Sequence, residues 1–416
     1  MEHSLNVYNK ERKIELLSPA GNMDRLKTAF LYGADACYIG GREFSLRANA
    51  KNFSNDEIRE AVNYAHSLGK KIYVTVNIVF HNENIGGLTD YLKFLSDANV
   101  DAIIVSDPFI IDLVKDSDIK IPIHISTQYS VLNIEAILFF KELGVERVVL
   151  AREASRENIK NIIDKTGMEI ETFVHGAMCS SYSGRCVLSN YFTNRDANRG
   201  GCAQVCRWEF DLYDQDKNKI DADTKFTMST KDLSMIDNIG DMIDIGISSL
   251  KVEGRMRSDY YVATVINTYK SAINDYYDGK LTSEKREYYK KVLARVSNRD
   301  NTEQFYNRLP SVNEQYYLGR QEESNQDFLG VVLDYDDETG LAKVEERNFF
   351  KEGDMVEFFG PNISVFSFQM GNIYNEDGEL LECARHPKEI IFLKVPKKVY
   401  QNDILRIKIY KRYNFT

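Results

Sequence analysis

No apolar run in the 416-residue chain approaches the roughly 20 residues a membrane span needs; Val131–Leu143, the longest, is broken by Asn133, Glu135, Lys141 and Glu142. The opening residues, Met1-Glu2-His3-Ser4-Leu5-Asn6, have no basic stretch leading into an apolar one. A secretory signal is therefore not expected, and the expected location is the cytoplasm, away from membranes. Six cysteines are too few for a disulfide scaffold, which points to a reducing compartment. The His-Glu-x-x-His helix of zinc proteases and the Gly-x-Ser-x-Gly elbow of serine hydrolases are both missing. So are internal repeats and low-complexity tracts. With 43% hydrophobic and 28% charged residues, the composition excludes disordered and fibrous classes. Positive charge is short overall: 53 basic against 63 acidic residues gives a net of −10, so any nucleic-acid contact has to come from local clusters.

What is present, over the first 280 residues, is an alternation of strand and helix. Ile14–Leu17, Ala36–Ile39, Lys71–Val76, Ala102–Val105, Ile121–Ile125, Arg147–Leu150, Glu169–Val174 and Ser249–Val252 are short apolar or β-branched runs bounded by polar or glycine-containing turns. Between them Ile58, Ala61, Val62, Ala65 and Leu68 follow helical spacing, as do Ile85, Leu88, Leu92 and Leu95. Near-continuous apolar strands demand a parallel sheet covered on both faces. Eight such units predict an α/β fold, a (β/α)8 TIM-type barrel over residues 1–280, with a doubly wound open sheet as the competing arrangement. A helix and polar linker over 281–327 and a small all-β C-terminal domain, a β-barrel over 328–416, complete the expected organisation.

Between the seventh and eighth predicted strands the chain is about three times longer than a βα connection needs. Four of the six cysteines lie there, within the loop 175–208: Cys179, Cys186, Cys202 and Cys206, spaced C-x6-C-x15-C-x3-C. Four thiolates in one loop can complete a tetrahedral zinc site or hold an iron–sulfur cluster. Zinc knuckles favour two short pairs, and here only the second pair is short. A cysteine protease needs a separate thiolate beside a histidine base. His175 precedes Cys179 by four residues, and no cysteine stands apart as an obvious nucleophile.

In a barrel, Asn77, Asp107, Gln128, Arg152, Glu153, His175, Lys251, Glu253 and Arg255 fall at strand ends that face one mouth, and the cations among them suit a dicarboxylate. Arg152 and Glu153 each read as part of a barrel-rim salt bridge; His175 reads as a base, a cluster neighbour or a structural histidine. Segment 179–208 carries Arg185, Arg195, Arg199 and Arg207 against Asp196, a net of 4 − 1 = +3. The tail 394–416 carries seven cations, Arg406 among them, against Asp403, a net of 7 − 1 = +6, interleaved with Tyr400, Tyr410 and Tyr413. Both compositions suit RNA, and the tail equally suits a solubilising surface strand.

Ser18-Pro19-Ala20-Gly21-Asn22, Gly33-Ala34-Asp35-Ala36, Ser126-Thr127-Gln128, His175-Gly176-Ala177-Met178-Cys179, the segment Arg199–Arg207 and Lys251-Val252-Glu253-Gly254-Arg255 together resemble the signatures of the collagenase-like U32 peptidase family. The likeness runs from about Ile14 to Tyr261 and more weakly beyond. It lies nearest the branch that hydroxylates bacterial tRNA. That resemblance implies prephenate-dependent formation of 5-hydroxyuridine at the wobble position, with tRNA and a paralogous family subunit as partners. It also tilts the four cysteines toward a 4Fe-4S cluster, with Zn as the alternative. His175, Lys251, Glu253 and Arg255 are then the expected catalytic residues, and Gln128, Arg185, Arg199 and Arg207 the expected substrate contacts. A collagenase-like peptidase and a non-catalytic, cluster-binding tRNA scaffold are the alternatives.

Overall fold

Ala102–Val105 is buried along its whole length, and Lys71–Val76 is buried at every position after Lys71. Only a sheet covered on both faces satisfies such strands, and the chain builds one by closing it on itself. The computed structural model describes residues 13–46, 51–221, 225–296, 299–316 and 328–407. The chain divides into two compact units, Met1–Gln321 and Glu322–Thr416.

In the first unit the strands are β1 (Glu15–Pro19), β2 (Ala36–Gly40), β3 (Lys71–Val76), β4 (Ala102–Val105), β5 (Ile123–Ile125), β6 (Arg147–Val149), β7 (Glu169–Gly176), β8 (Asp232–Ser234), β9 (Ser249–Val252) and β10 (Asn301–Thr302). Strands β1 to β7 pair in parallel in chain order, and β9 pairs in parallel with both β7 and β1, which closes an eight-stranded barrel. Its registers include Leu17 opposite Ala36 and Leu250 opposite both Leu16 and Thr172. β8 lies outside the ring, antiparallel to the end of β7, and carries β10 on its other side. The eight strands expected from the sequence are the eight of the barrel.

Local signals set the helices between them. Ser54 and Glu57 form a reciprocal capping box at the start of the helix Asn55–Ser67. Asn22, Asn133, Ser155 and Ser258 each cap a helix with a side-chain oxygen. The helix Asp259–Tyr277 buries residues on most of its circumference, packing on the helix Met23–Leu31 and on β1.

Alternation along the strands sends Leu17, Ala36, Tyr38, Tyr73, Ala102 and Ile104 into one buried cluster inside the ring. Barrel interiors are usually filled by branched apolar side chains. This one also encloses ions. Arg147, 3% exposed, donates to Glu15 at 2.6 Å, Glu169 at 2.9 Å and Glu171 at 3.3 Å, and the Lys251 ammonium donates to Glu171 at 2.7 Å. Tyr73 and Ser249 donate to the two oxygens of Glu15.

The second unit is an antiparallel sheet, in the strand order Ile363–Gln369, Met355–Gly360, Ile404–Ile407, Phe328–Asp336, Leu341–Glu346, Ile390–Lys394, Ile373–Tyr374, Leu380–Leu381. Its core gathers Leu329, Val344, Phe350, Phe358, Ile391 and Leu405. Arg406, which the sequence placed in a basic RNA-facing tail, is instead 2% exposed on its side chain, paired with Glu357 and stacked over Phe359. A strand-borne arginine that alternates inward is spent on the core. Lys397 and Lys398 are exposed; Lys408, Tyr410, Lys411, Arg412 and Tyr413 lie outside the described residues.

Candidate functional site

Residues 177–231, between β7 and β8, contain among their described residues one short helix, Leu188–Thr193, and two single turns, Ala197–Arg199 and Val205–Arg207. Individual hydrogen bonds hold this excursion to the barrel. Ser183 donates through its backbone and its hydroxyl to Glu153, at 2.9 and 3.0 Å, and its carbonyl accepts from Ser130. The Asn198 carbonyl accepts from Val79 N, and the Asn198 amide donates to the Cys186 carbonyl at 3.0 Å. Gly184 adopts a φ of +72°, and a Cβ there would overlap the backbone of Gln128. Only glycine lets the two segments approach so closely.

The excursion and the strand ends enclose a cavity of 160 Å3, close to one that accommodates benzene, about 150 Å3, so it has room for a single ring. Cys179, Cys186, Cys202 and Cys206 all line it, as do Asn77, Gln128, Arg152, Phe173, Lys251, Glu253 and Arg255. None of the four cysteines is in a disulfide. Burial, followed by the negative charge of neighbouring thiols, raises the pKa of Cys186 and Cys206. Cys179 and Cys202 contribute to both shifts, so the set shares one electrostatic environment. A bound cation reverses that logic and draws the thiolates out. The donor chemistry therefore fits a thiolate-ligated metal or cluster. Among the described residues, however, no three His, Cys, Asp or Glu side chains are already gathered to hold a metal ion.

Arg255 crosses the cavity floor, where its guanidinium donates to Ser45 at 2.9 Å, to Thr75 at 3.2 Å and to the Leu46 carbonyl. Gly40 makes room for it, since a Cβ at that position would overlap the guanidinium. Lys251 lies 4.4 Å from the centre of the Tyr38 ring; burial lowers its pKa while Glu171 opposes the shift. Among the described residues Arg152 forms no rim salt bridge. Its guanidinium stacks 3.8 Å over Phe173 and pairs with no carboxylate among the described residues, while Glu153 is taken up by Ser183. Asp107 accepts from the backbone of Phe109.

His175 is outside the cavity lining. It is 2% exposed, packed between Tyr261 and Tyr269 with ring centroids at 5.9 and 5.5 Å, and its Nδ1 lies 3.4 Å from the Tyr269 hydroxyl. Burial, then the Arg257 charge, lowers its pKa to about 3. No histidine is hydrogen-bonded to a cysteine among the described residues. Arg185, Arg199 and Arg207 are also outside the lining: Arg185 reaches Ser130 at 3.3 Å, Arg199 pairs with Glu83 at 3.1 Å, and Arg207 donates to Gln204 at 3.0 Å. Sequence reasoning missed Glu171, the buried partner of Lys251, and Tyr182, which lines the cavity. A glutamate inside an otherwise β-branched strand was the available signal for the first.

Residues 21–316 match the model of peptidase family U32, and residues 324–406 match that of the U32 C-terminal domain. The chain belongs to peptidase family U32. Relatives of this U32 chain carry different names. It is 48% identical over 400 residues to the Bacillus subtilis tRNA hydroxylation protein P1, covering 95% of both chains. It is 37% identical over 308 residues, 74% of this chain and 44% of the relative, to the Escherichia coli 23S rRNA 5-hydroxycytidine C2501 synthase. It is also 31% identical over 407 residues to a Porphyromonas gingivalis protein named collagenase, covering 94% and 97% of the two chains.

Proposed function

We propose that this chain is an RNA-hydroxylating enzyme that forms 5-hydroxyuridine at the tRNA wobble position, using prephenate and a 4Fe-4S cluster on Cys179, Cys186, Cys202 and Cys206. One observation carries the reading: four free cysteines and the cationic barrel mouth border the same ring-sized cavity. The names of the tRNA- and rRNA-directed relatives give it its substrate class. When bound, the cluster supplies one-electron transfers beside the target base.

The chain's own residues then have distinct tasks. A cavity of this size takes one ring at a time, so the co-substrate and a wobble base turned out of its stack occupy it in succession, and the Gln128 side-chain amide, unengaged among the described residues, reads the polar edge of the base. Arg152 and Arg255 bind the carboxylates of the small co-substrate. Lys251, oriented by Glu171, adds a third cation, and Glu253, half-buried at the rim, accepts a proton. His175 is a positioning residue: its carbonyl accepts from Glu253 N at 2.9 Å, and Tyr261, against its ring, donates to the Glu253 carbonyl. Arg185, Arg199 and Arg207 meet phosphates, and a paralogous subunit works alongside.

Purification under nitrogen, with iron, sulfide and zinc analysis, tests the cofactor. About four irons per chain are expected; stoichiometric zinc in a colourless protein refutes the cluster. Deleting the gene and any paralogue should remove 5-hydroxyuridine-derived nucleosides from bulk tRNA. Changing the four cysteines to serine should abolish hydroxylation while RNA binding persists. An unchanged nucleoside profile together with lost collagen cleavage would assign the chain to the peptidase reading.

A further inference from the structure

The excursion that carries the cysteines also exposes aromatic surface that the cavity chemistry does not use. Tyr191 is 85% exposed, Tyr182 58% and Phe192 52%. Solitary exposed apolar residues need no explanation, but three exposed aromatics within eleven positions of one excursion, one of them lining a cavity, are the kind of surface that marks an interaction site. The patch has a built base. Phe192 sits edge-on to Trp208 at 6.5 Å and to Phe210 at 5.7 Å, so it is braced from below, while Tyr191, its neighbour on the short helix Leu188–Thr193, stands in solvent. Tyr182 is on the cavity lining itself.

Charge narrows the partner. Arg185 and Arg195 are exposed on the same excursion, and neither has a carboxylate partner among the described residues. The segment 179–208 holds +3 in a chain of −10, so an anionic partner meets attraction here and repulsion from the average surface. Exposed planar rings interleaved with unpaired guanidiniums match single-stranded nucleic acid, in which every base offers a face for stacking. A paired stem hides those faces. The cavity accepts one ring, so the nucleotides on either side of an inserted base must lie outside it, where the excursion that carries Tyr182 borders the cavity.

We propose that Tyr182, Tyr191 and Phe192, with Arg185 and Arg195, form a stacking platform that holds the unpaired nucleotides flanking the one presented to the cavity. The proposal rests on the RNA-directed reading above and adds the surface and the feature recognised: unpaired bases in a loop, independent of the cluster and the co-substrate.

The test uses the full chain and two fluorescently labelled RNAs of equal length, an anticodon stem-loop and a blunt duplex. Tyr191→Ala removes only a solvent-facing ring, so the fold is retained. It should weaken stem-loop binding about tenfold and leave duplex binding unchanged, because stacking on one aromatic is lost. Tyr191→Trp should restore the affinity, which a merely structural defect would not. Arg195→Glu should weaken both RNAs and flatten the salt dependence of binding. Equal stem-loop affinity for the parent and Tyr191→Ala overturns the platform, as does a Tyr191→Ala variant whose only change is a loss of self-association or of binding to a protein partner. If the parent binds and hydroxylates tRNA while these variants match it, only the platform falls. If the parent neither binds nor modifies RNA, the underlying reading falls with it.

Discussion

From Glu15 to Gly176 the chain lays down seven barrel strands that are almost wholly buried. From Ala177 to Lys231 its described residues hold one six-residue helix, a few turns and exposed side chains such as Tyr182, Val187, Tyr191 and Phe192. The first stretch is fixed by ladders of backbone hydrogen bonds and by ions with nowhere else to go. The second is fixed by single contacts: Ser183 to Glu153, Val79 to Asn198, Gly184 against Gln128. Barrel stability is thus concentrated in the first stretch and the four cysteines in the second, so the excursion can be perturbed with little effect on the barrel.

The largest expected effect lies in the barrel. Arg147→Met leaves Glu15, Glu169 and Glu171 without their shared cation inside a closed ring. Removing one partner of a buried pair costs about 3–5 kcal/mol, which denaturant unfolding will show as a lowered midpoint. Val187→Ser, on the exposed face of the excursion, should stay within about 0.5 kcal/mol of the parent. Comparable losses at both positions would mean that the excursion is part of the folding core.

The same division explains what the sequence disclosed. Strands such as Ala102-Ile103-Ile104-Val105 are legible because a buried parallel strand admits almost nothing polar, and all eight barrel strands were found that way. The four cysteines were legible because thiols are rarely clustered without a chemical reason. Arg152 was not: whether a rim arginine meets a carboxylate depends on which way the excursion folds back, and here Ser183 takes Glu153 and Arg152 stacks over Phe173. Arg406 was misread because charge counted along a tail ignores the alternation that turns every second side chain inward. Tyr191 was passed over because exposure has no sequence signature.

A smaller effect should separate loop placement from barrel stability. Gly184→Ala forces a Cβ into the Gln128 backbone at a positive φ that alanine rarely adopts. Strain at such a site costs about 1–3 kcal/mol, and it is relieved by letting the loop lift. Hydrogen exchange across 179–186 should therefore accelerate while exchange in β1 to β7 stays as in the parent. Faster exchange throughout would show that the loop contact supports the whole barrel.

The smallest effect sets the two units against each other through pH. His175 has a folded pKa of about 3, lowered first by burial, so the unfolded chain binds its proton more readily. Its contribution to stability is complete above the unfolded value, near 6.5, and is lost as pH falls from there toward 3. His124, buried in the barrel and lowered in the same direction, has the same sign. Asp403, in the second unit, is raised by burial to about 6, and its second oxygen has no hydrogen-bond partner among the described residues, so there the folded state binds the proton more readily. Its ionisation penalty is present above about pH 6 and is relieved as pH falls toward the unfolded value near 3.9. Acidifying from about pH 7 to about pH 5.5 should therefore weaken the first unit by about 1 kcal/mol through His175 and strengthen the second by somewhat less. Hydrogen exchange at the two pH values, corrected for intrinsic rates, reads each unit separately. Asp403→Asn should cut the gain in the second unit to the share of Glu346, whose pKa burial also raises, and leave the loss in the first untouched. Parallel changes in both units would show that these buried groups do not set the pH response.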